Sequence, residues 1–299
     1  MTKELKGVLT ALATPFDAND NLDLPMLRRV VDRSINGGVN GVVAAGSTGE
    51  VGALTADERL QLVDTVVEHT AGRVPVVAQT GATSTGEAIR LSRAAQKSGA
   101  DVIMLVTPYY EPLSVDETVA YIKDVAAAVD LPVMLYNIPA VTGVNLDPDT
   151  VRSLASEIDN VRYIKDSSAN WEQALQLIHY HGDVIDTFIG WDSFAYSALV
   201  EGAAGVMAGT ANVVPAELAE VYRRISEGDL VGARSRWETL YPALDAMLSV
   251  PFIPAVKAGL RLQGEPVGLP RKPTADLSAD ALARLEAALM ALNLEGATK

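Results

Sequence analysis

The sequence predicts a (β/α)8 barrel with a helical extension at its C-terminal end. Three observations carry that expectation. Short apolar runs alternate with helical patterns eight times between residues 8 and 225. Their spacing, roughly 20–35 residues, is that of a parallel sheet with helical crossovers, and eight such units close a barrel. From about residue 230 onward no strand pattern recurs. At about 150 residues per domain a chain of 299 would divide in two, but α/β barrels run to about 250 as one unit. The barrel is therefore expected over residues 1–228 and the helical appendage over 229–299.

The first strand is Val8 to Ala13, and Leu24 to Asn36 has helical spacing. Gly41 to Ala45 is the second strand, breaking into Gly46-Ser47-Thr48-Gly49-Glu50. Thr55, with Glu58 three residues on, is the signature of a capping box opening a helix that runs to about His69. Strand three is Val74 to Gln79, and a helix from Ser84 to Lys97 stops at Gly99. Strand four, Asp101 to Val106, leads into Tyr109 and Tyr110, and a helix spans Val115 to Val129. Strand five, Leu131 to Leu135, leads into Tyr136-Asn137-Ile138-Pro139, before a helix from Pro148 to Ile158.

Strand six is Val161-Arg162-Tyr163-Ile164-Lys165, followed by a helix from Trp171 to His181. Strand seven is Val184 to Ile189, with a short helix from Ser193 to Glu201. Gly205 to Ala208 is the eighth strand, and Pro215 to Ile225 the eighth helix. In the appendage Ala233 to Leu248, Ala255 to Leu262 and Ala279 to Leu292 read as helices between prolines.

Composition narrows the function. The net charge is −14, which argues against nucleic acid and anionic membranes, since both require a basic footprint. The chain has no cysteine, so thiol catalysis, thiolate zinc sites and disulfides are excluded. No apolar run approaches the roughly 20 residues of a membrane span, and Thr14-Pro15-Phe16-Asp17 is no leader cleavage site. A cytoplasmic protein is expected.

Lys165 stands where a barrel keeps its chemistry, at the carboxyl end of a strand. In an apolar setting a lysine favours its neutral form, and a neutral amine attacks carbonyls. The alternative is a strand-end lysine that snorkels to water. The Gly46–Glu50 loop brings two hydroxyls between glycines, a setting in which backbone N–H groups approach a small carboxylate, aided by a following helix N-terminus. No Lys-Ser/Thr follows the glycines, so it is not a Walker phosphate loop. Phenols at strand ends, Tyr109, Tyr110 and Tyr136, can relay the protons that imine chemistry moves. Gly190 and Asp192 follow strand seven, Ser167 follows Lys165, and Met207 lies in strand eight; these complete the candidate substrate-binding set with Ser47, Thr48 and Gly49. His69, His179 and His181 lack metal spacing and are expected on helix surfaces. Lys257 is the rival amine, but it lies in an amphipathic helix where lysine usually faces solvent.

Three motifs, Gly46-Ser47-Thr48-Gly49-Glu50, Tyr136-Asn137-Ile138-Pro139 and Ile164-Lys165-Asp166, occur in the order found in one family. The chain resembles the dihydrodipicolinate synthase / N-acetylneuraminate lyase family of pyruvate-dependent class I aldolases over nearly its whole length. The resemblance implies that Lys165 forms the Schiff base with pyruvate or a 2-oxo acid, and that Ser47 and Thr48 hold its carboxylate. It implies Tyr136 as general acid/base, with Tyr110 completing the relay from a neighbouring subunit of a homotetramer built as a dimer of dimers. No cofactor and no metal are implied.

Departures from the synthase pattern bear on the second substrate. Synthases carry an arginine two residues after the proline of the tyrosine motif, where this chain has Val141, and usually a threonine where the loop has Ser47. Ser193, after Asp192, replaces a glutamate of the sialic-acid lyases. These features favour an aldolase or lyase of a 2-keto-3-deoxy sugar acid or 4-hydroxy-2-oxo acid, with pyruvate and a small aldehyde as partners. The alternative is 4-hydroxy-tetrahydrodipicolinate synthase. A silent 2-oxo acid sensor is the third reading, disfavoured by the intact Lys165, Tyr136 and hydroxyl loop.

Overall fold

The structure, a computed structural model, describes residues 5–297, and side chains as far as Leu292. Eight parallel strands close into one barrel in sequence order: β1 (Gly7–Ala11), β2 (Gly41–Ala44), β3 (Val76–Gln79), β4 (Val102–Val106), β5 (Val133–Asn137), β6 (Val161–Asp166), β7 (Asp186–Ile189) and β8 (Gly205–Ala208). Closure is made by β1 and β8, which pair Gly7 with Gly205 and Leu9 with Met207. The expected fold class is the observed one.

The alternation of strand side chains divides the apolar residues into two cores. One face of each strand fills the barrel interior with Leu9, Val43, Val77, Met104, Met134, Tyr136, Tyr163, Phe188 and Met207. The other face meets the surrounding helices in a second, larger core. Lys165 follows Tyr163 by two residues and so shares its inward face, whereas Arg162 is exposed. Register places Lys165 beside Tyr136 of β5 and Phe188 of β7.

The helices between the strands are α1 (Leu24–Asn36), α2 (Ala56–Thr70), α3 (Thr85–Ser98), α4 (Val115–Ala126), α5 (Pro139–Thr142), α6 (Pro148–Glu157), α7 (Trp171–His181) and α8 (Ala195–Val200). The capping box of Thr55 and Glu58 is formed at α2, and Gly99 closes α3 in the left-handed region at φ +93°. A helix absent from the sequence reading is α5, one turn long. Its signal is a proline at the first helical position and Gly143 just past the end, at φ +73°. Its brevity hides any periodicity. The segment expected as one helix from Ser193 divides into a tight turn at Asp192–Phe194 and then α8.

After the barrel come α9 (Pro215–Ser226), α10 (Leu230–Leu248), α11 (Phe252–Leu262) and α12 (Ala279–Ala297). Helix α11 begins before the expected Ala255 because Pro254 sits in its first turn, where N–H groups have no intrahelical partner. Leu240, Leu244, Met247, Val256, Leu285 and Leu289 belong to the same core that packs the barrel helices. The C-terminal helices are thus held by shared apolar burial with the barrel. Their inner faces also reach its mouth.

Candidate active site

At the carboxyl ends of the strands lies a cavity of about 500 Å3. Ser47, Thr48, Tyr136, Lys165, Ser167, Gly190, Asp192 and Met207 line it, residues that stand as much as 160 positions apart in the chain. Two of the residues expected at the site do not line it. Gly49 packs beneath the loop, where its carbonyl accepts from Thr14 Oγ1 at 2.6 Å and an added Cβ would lie 3.0 Å from the Leu12 carbonyl. Tyr110 is 84% exposed and turned to solvent in the single chain.

Lys165 is only 6% exposed, and its Nζ lies 4.0 Å from the centre of the Tyr136 ring. The Tyr136 hydroxyl is 3.3 Å from Ser47 Oγ, linking the lysine to the loop after β2 through one phenol. Burial pushes the Tyr136 phenol up, but the Lys165 charge and the Ser47 hydrogen bond outweigh it and hold the group below the ordinary tyrosine value. A phenol lowered in this way exchanges a proton more readily near neutral pH.

Gly190 explains how the lysine is accommodated. A Cβ at that position would fall 2.4 Å from Lys165 Cε and 2.2 Å from Ser167 Oγ. A side chain just after β7 would therefore displace the lysine stem or Ser167. Next to it, Asp192 is 6% exposed and its Oδ2 accepts from the Thr210 N–H at 2.8 Å and the Thr210 hydroxyl at 2.6 Å. Burial pushes the Asp192 carboxyl above its usual value, despite those bonds and the Lys165 charge. Asp166, adjoining Lys165, is likewise raised by burial; Asn137, Ser168 and Gln173 donate to it at 2.9, 2.8 and 3.1 Å and fix the end of β6.

The structure corrects several expectations. Lys257 does not face solvent: it is fully buried, with Nζ 2.5 Å from Glu50 Oε1 and donating to the Leu269 carbonyl at 2.9 Å. The amphipathic face of α11 is turned inward at that point, so a carboxylate and not water receives the ammonium. His181 is also buried, with Arg152 Nη1 3.3 Å from its Nδ1, whereas His69 and His179 pair with Asp32 and Glu201. The hydroxyl loop is not followed directly by a helix N-terminus. A tight turn at Val51–Ala53 intervenes between the loop and α2.

The C-terminal helices and the turn between them supply a further wall: Tyr241, Asp245, Leu248, Ser249, Phe252 and Ile253. No local signal marks them, since their place depends on how α10 and α11 dock. A second lobe of about 370 Å3 shares Ser47, Ile138 and Ile253 with the main cavity and is lined by Val106, Tyr109 and Val141. Val141 sits on α5 and is 60% exposed. Among the described residues there is no cluster of three potential metal ligands, and no helix is long and apolar enough to cross a membrane.

A closed (β/α)8 barrel with a buried strand-end lysine against a tyrosine, opening on a hydroxyl loop, defines the class of Schiff-base aldolases and lyases. The profile of the Dihydrodipicolinate synthetase family matches residues 4–292, and the chain belongs to that family. It is 38% identical over 282 residues to a 4-hydroxy-tetrahydrodipicolinate synthase of Oceanobacillus iheyensis, covering 94% of this chain and 95% of the relative. The 4-hydroxy-tetrahydrodipicolinate synthase of Methylacidiphilum fumariolicum SolV superposes with a TM-score of 0.94 at 31% identity, over 99% of this chain and 98% of that one. A dihydrodipicolinate synthase from Acinetobacter baumannii, solved with pyruvate, gives a TM-score of 0.93 at 32% identity over 97% and 99% of the two chains. The enzyme is a pyruvate-dependent class I aldolase or lyase.

Proposed function

We propose that Lys165 adds to the ketone of pyruvate and that the resulting enamine attacks an aldehyde, or that the reverse reaction releases pyruvate. The observation that carries this is the 4.0 Å approach of Lys165 Nζ to the Tyr136 ring, inside a cavity that also presents Ser47. Addition of the amine to the carbonyl carbon and loss of water give a protonated imine. That imine is an electron sink, so a proton leaves C3 and carbon–carbon bond formation follows at that atom. Tyr136 moves the protons, with Ser47 as its hydrogen-bond partner. Ser47 and Thr48 hold the carboxylate; Ser167, Gly190, Asp192 and Met207 shape the remaining walls. Tyr110, exposed in the single chain, is assigned to the relay of a neighbouring subunit in a homotetramer.

For the aldehyde, the curated relatives favour 4-hydroxy-tetrahydrodipicolinate synthesis, the name shared by matches at 34–40% identity. That reading takes precedence over the sugar-acid aldolase favoured by the loop residues alone. One observation supports the second reading. The lobe beside Ser47 is lined by Val141, Tyr109, Val106 and Glu50 and, among the described residues, by no cationic side chain, so it offers no positive charge to the carboxylate of aspartate semialdehyde.

Borohydride reduction in the presence of pyruvate tests the chemistry. Covalent label is expected on Lys165 and lost in Lys165→Ala; label on Lys257, or on no residue, overturns the Schiff-base assignment. A comparison of kcat/KM for aspartate semialdehyde with that for 2-keto-3-deoxy and 4-hydroxy-2-oxo acids then separates the two readings. A preference above tenfold for aspartate semialdehyde supports the synthase, and the opposite preference the aldolase.

A further inference from the structure

We infer that the buried Lys257–Glu50 pair positions the carboxylate-binding loop, so that a residue of the C-terminal helices sets the affinity of the barrel for its 2-oxo acid. This rests on the assignment of Ser47 and Thr48 to the pyruvate carboxylate and of Lys165 to the Schiff base.

The loop is bracketed by two residues in the left-handed region that are not glycine: Ala45 at φ +57° and Glu50 at φ +60°. Such residues keep that conformation only where their surroundings impose it. Within the loop, the Glu50 N–H donates to the Ser47 carbonyl at 3.0 Å, so the backbone of Glu50 and that of the cavity-lining serine are directly coupled. The side chain of Glu50 is then gripped from outside the barrel. Lys257 Nζ stands 2.5 Å from Oε1, and the Arg271 backbone N–H donates to Oε2 at 2.8 Å.

Each partner is itself fixed. The Lys257 ammonium lies 4.2 Å from the centre of the Phe16 ring and donates to the Leu269 carbonyl. The Arg271 side chain donates to the Ala53 carbonyl at 2.8 Å and pairs with Glu58 of α2 at 2.8 Å. Neither Glu50 nor Lys257 lines the main cavity that holds Lys165, and of the two only Glu50 borders the second lobe beside Ser47. Lys257 is thus a buried cation with no part in the bond-making steps, and its place is explained by the loop it holds. A loop that grips the substrate carboxylate equally in the ground state and the transition state affects KM more than kcat.

The test measures the pyruvate concentration that gives half-maximal borohydride trapping at Lys165, together with KM and kcat, on the full-length chain. Lys257→Met leaves Glu50 without its cation. The double variant Lys257→Met/Glu50→Gln leaves no buried charge unpaired and serves if the single variant fails to fold. Either folded variant should need about tenfold more pyruvate for half-maximal trapping, with a smaller loss in the trapping reached at saturation. A half-saturating concentration within threefold of wild type, in a variant with lowered Tm, shows a purely structural pair and overturns the inference. Failure of the wild-type enzyme to trap pyruvate at Lys165 would instead overturn the Schiff-base assignment beneath it.

Discussion

Tyr136 and Lys165 are neighbours in register on β5 and β6, and both point into the barrel, which brings the ammonium to 4.0 Å from the phenol ring. Strand pairing alone therefore brings together the residues proposed as nucleophile and proton carrier. Removing the hydroxyl in Tyr136→Phe leaves the ring against the lysine but takes away the proton transfer. We expect kcat to fall by about 10²–10⁴-fold, with pyruvate still trapped slowly at Lys165. The phenol is held below the ordinary tyrosine value of about 10, so any rise in rate that depends on its deprotonation should come below that pH and vanish in Tyr136→Phe. A pH–rate profile of both proteins checks this.

Gly190→Ala should disable the site while leaving the barrel folded. The new methyl would require Lys165 or Ser167 to move, since it falls within 2.4 Å of both side chains. Displacing a nucleophile by about 1 Å costs on the order of 10²-fold in rate. Steady-state kcat/KM, read beside Tm, distinguishes this from unfolding.

Asp192→Asn should stabilise the enzyme, and more so as pH rises. Burial raises the native Asp192 carboxyl above its unfolded value of about 3.9. Below that pH the group is protonated in both states and its contribution to stability is fully present. As pH climbs, the unfolded chain releases the proton while the native chain holds it, and stability is lost up to the native pKa. Asparagine has no such loss and can still accept from Thr210. Tm measured from pH 4 to 8 should show the variant's advantage widening; a constant difference would mean that Asp192 titrates normally.

Val141→Arg should create the contact that the second lobe lacks. A charge-assisted bond to a carboxylate contributes about 1.5–3 kcal/mol, or roughly ten- to a hundred-fold in kcat/KM for aspartate semialdehyde. Uncharged aldehydes should gain nothing. If aspartate semialdehyde turnover is unchanged, its carboxylate is held elsewhere than beside α5.

Much of this molecule was decided locally. The eight strands, the capping box of Thr55 and Glu58, and the stop at Gly99 follow from periodicity and from the few residues that satisfy helix ends. Lys165 was identifiable because a lysine closing an apolar strand is costly unless it has a task. The one-turn helix α5 escaped because four residues carry no period.

What tertiary structure alone decided concerns residues distant in sequence. The burial of Lys257 could not be read from α11, because its partner Glu50 lies 207 positions earlier and reaches it only when the C-terminal helices dock on the barrel mouth. The need for glycine at 190 arises from the Lys165 stem on the adjacent strand, which β7 meets only in the closed sheet. Asp192 was a candidate from its place after strand seven, but its burial and its bonds to Thr210 arise only when the barrel encloses it. Local pattern fixes which face of an element is apolar, but desolvation and charge pairing are properties of the space between elements, and that space exists only once the chain has closed.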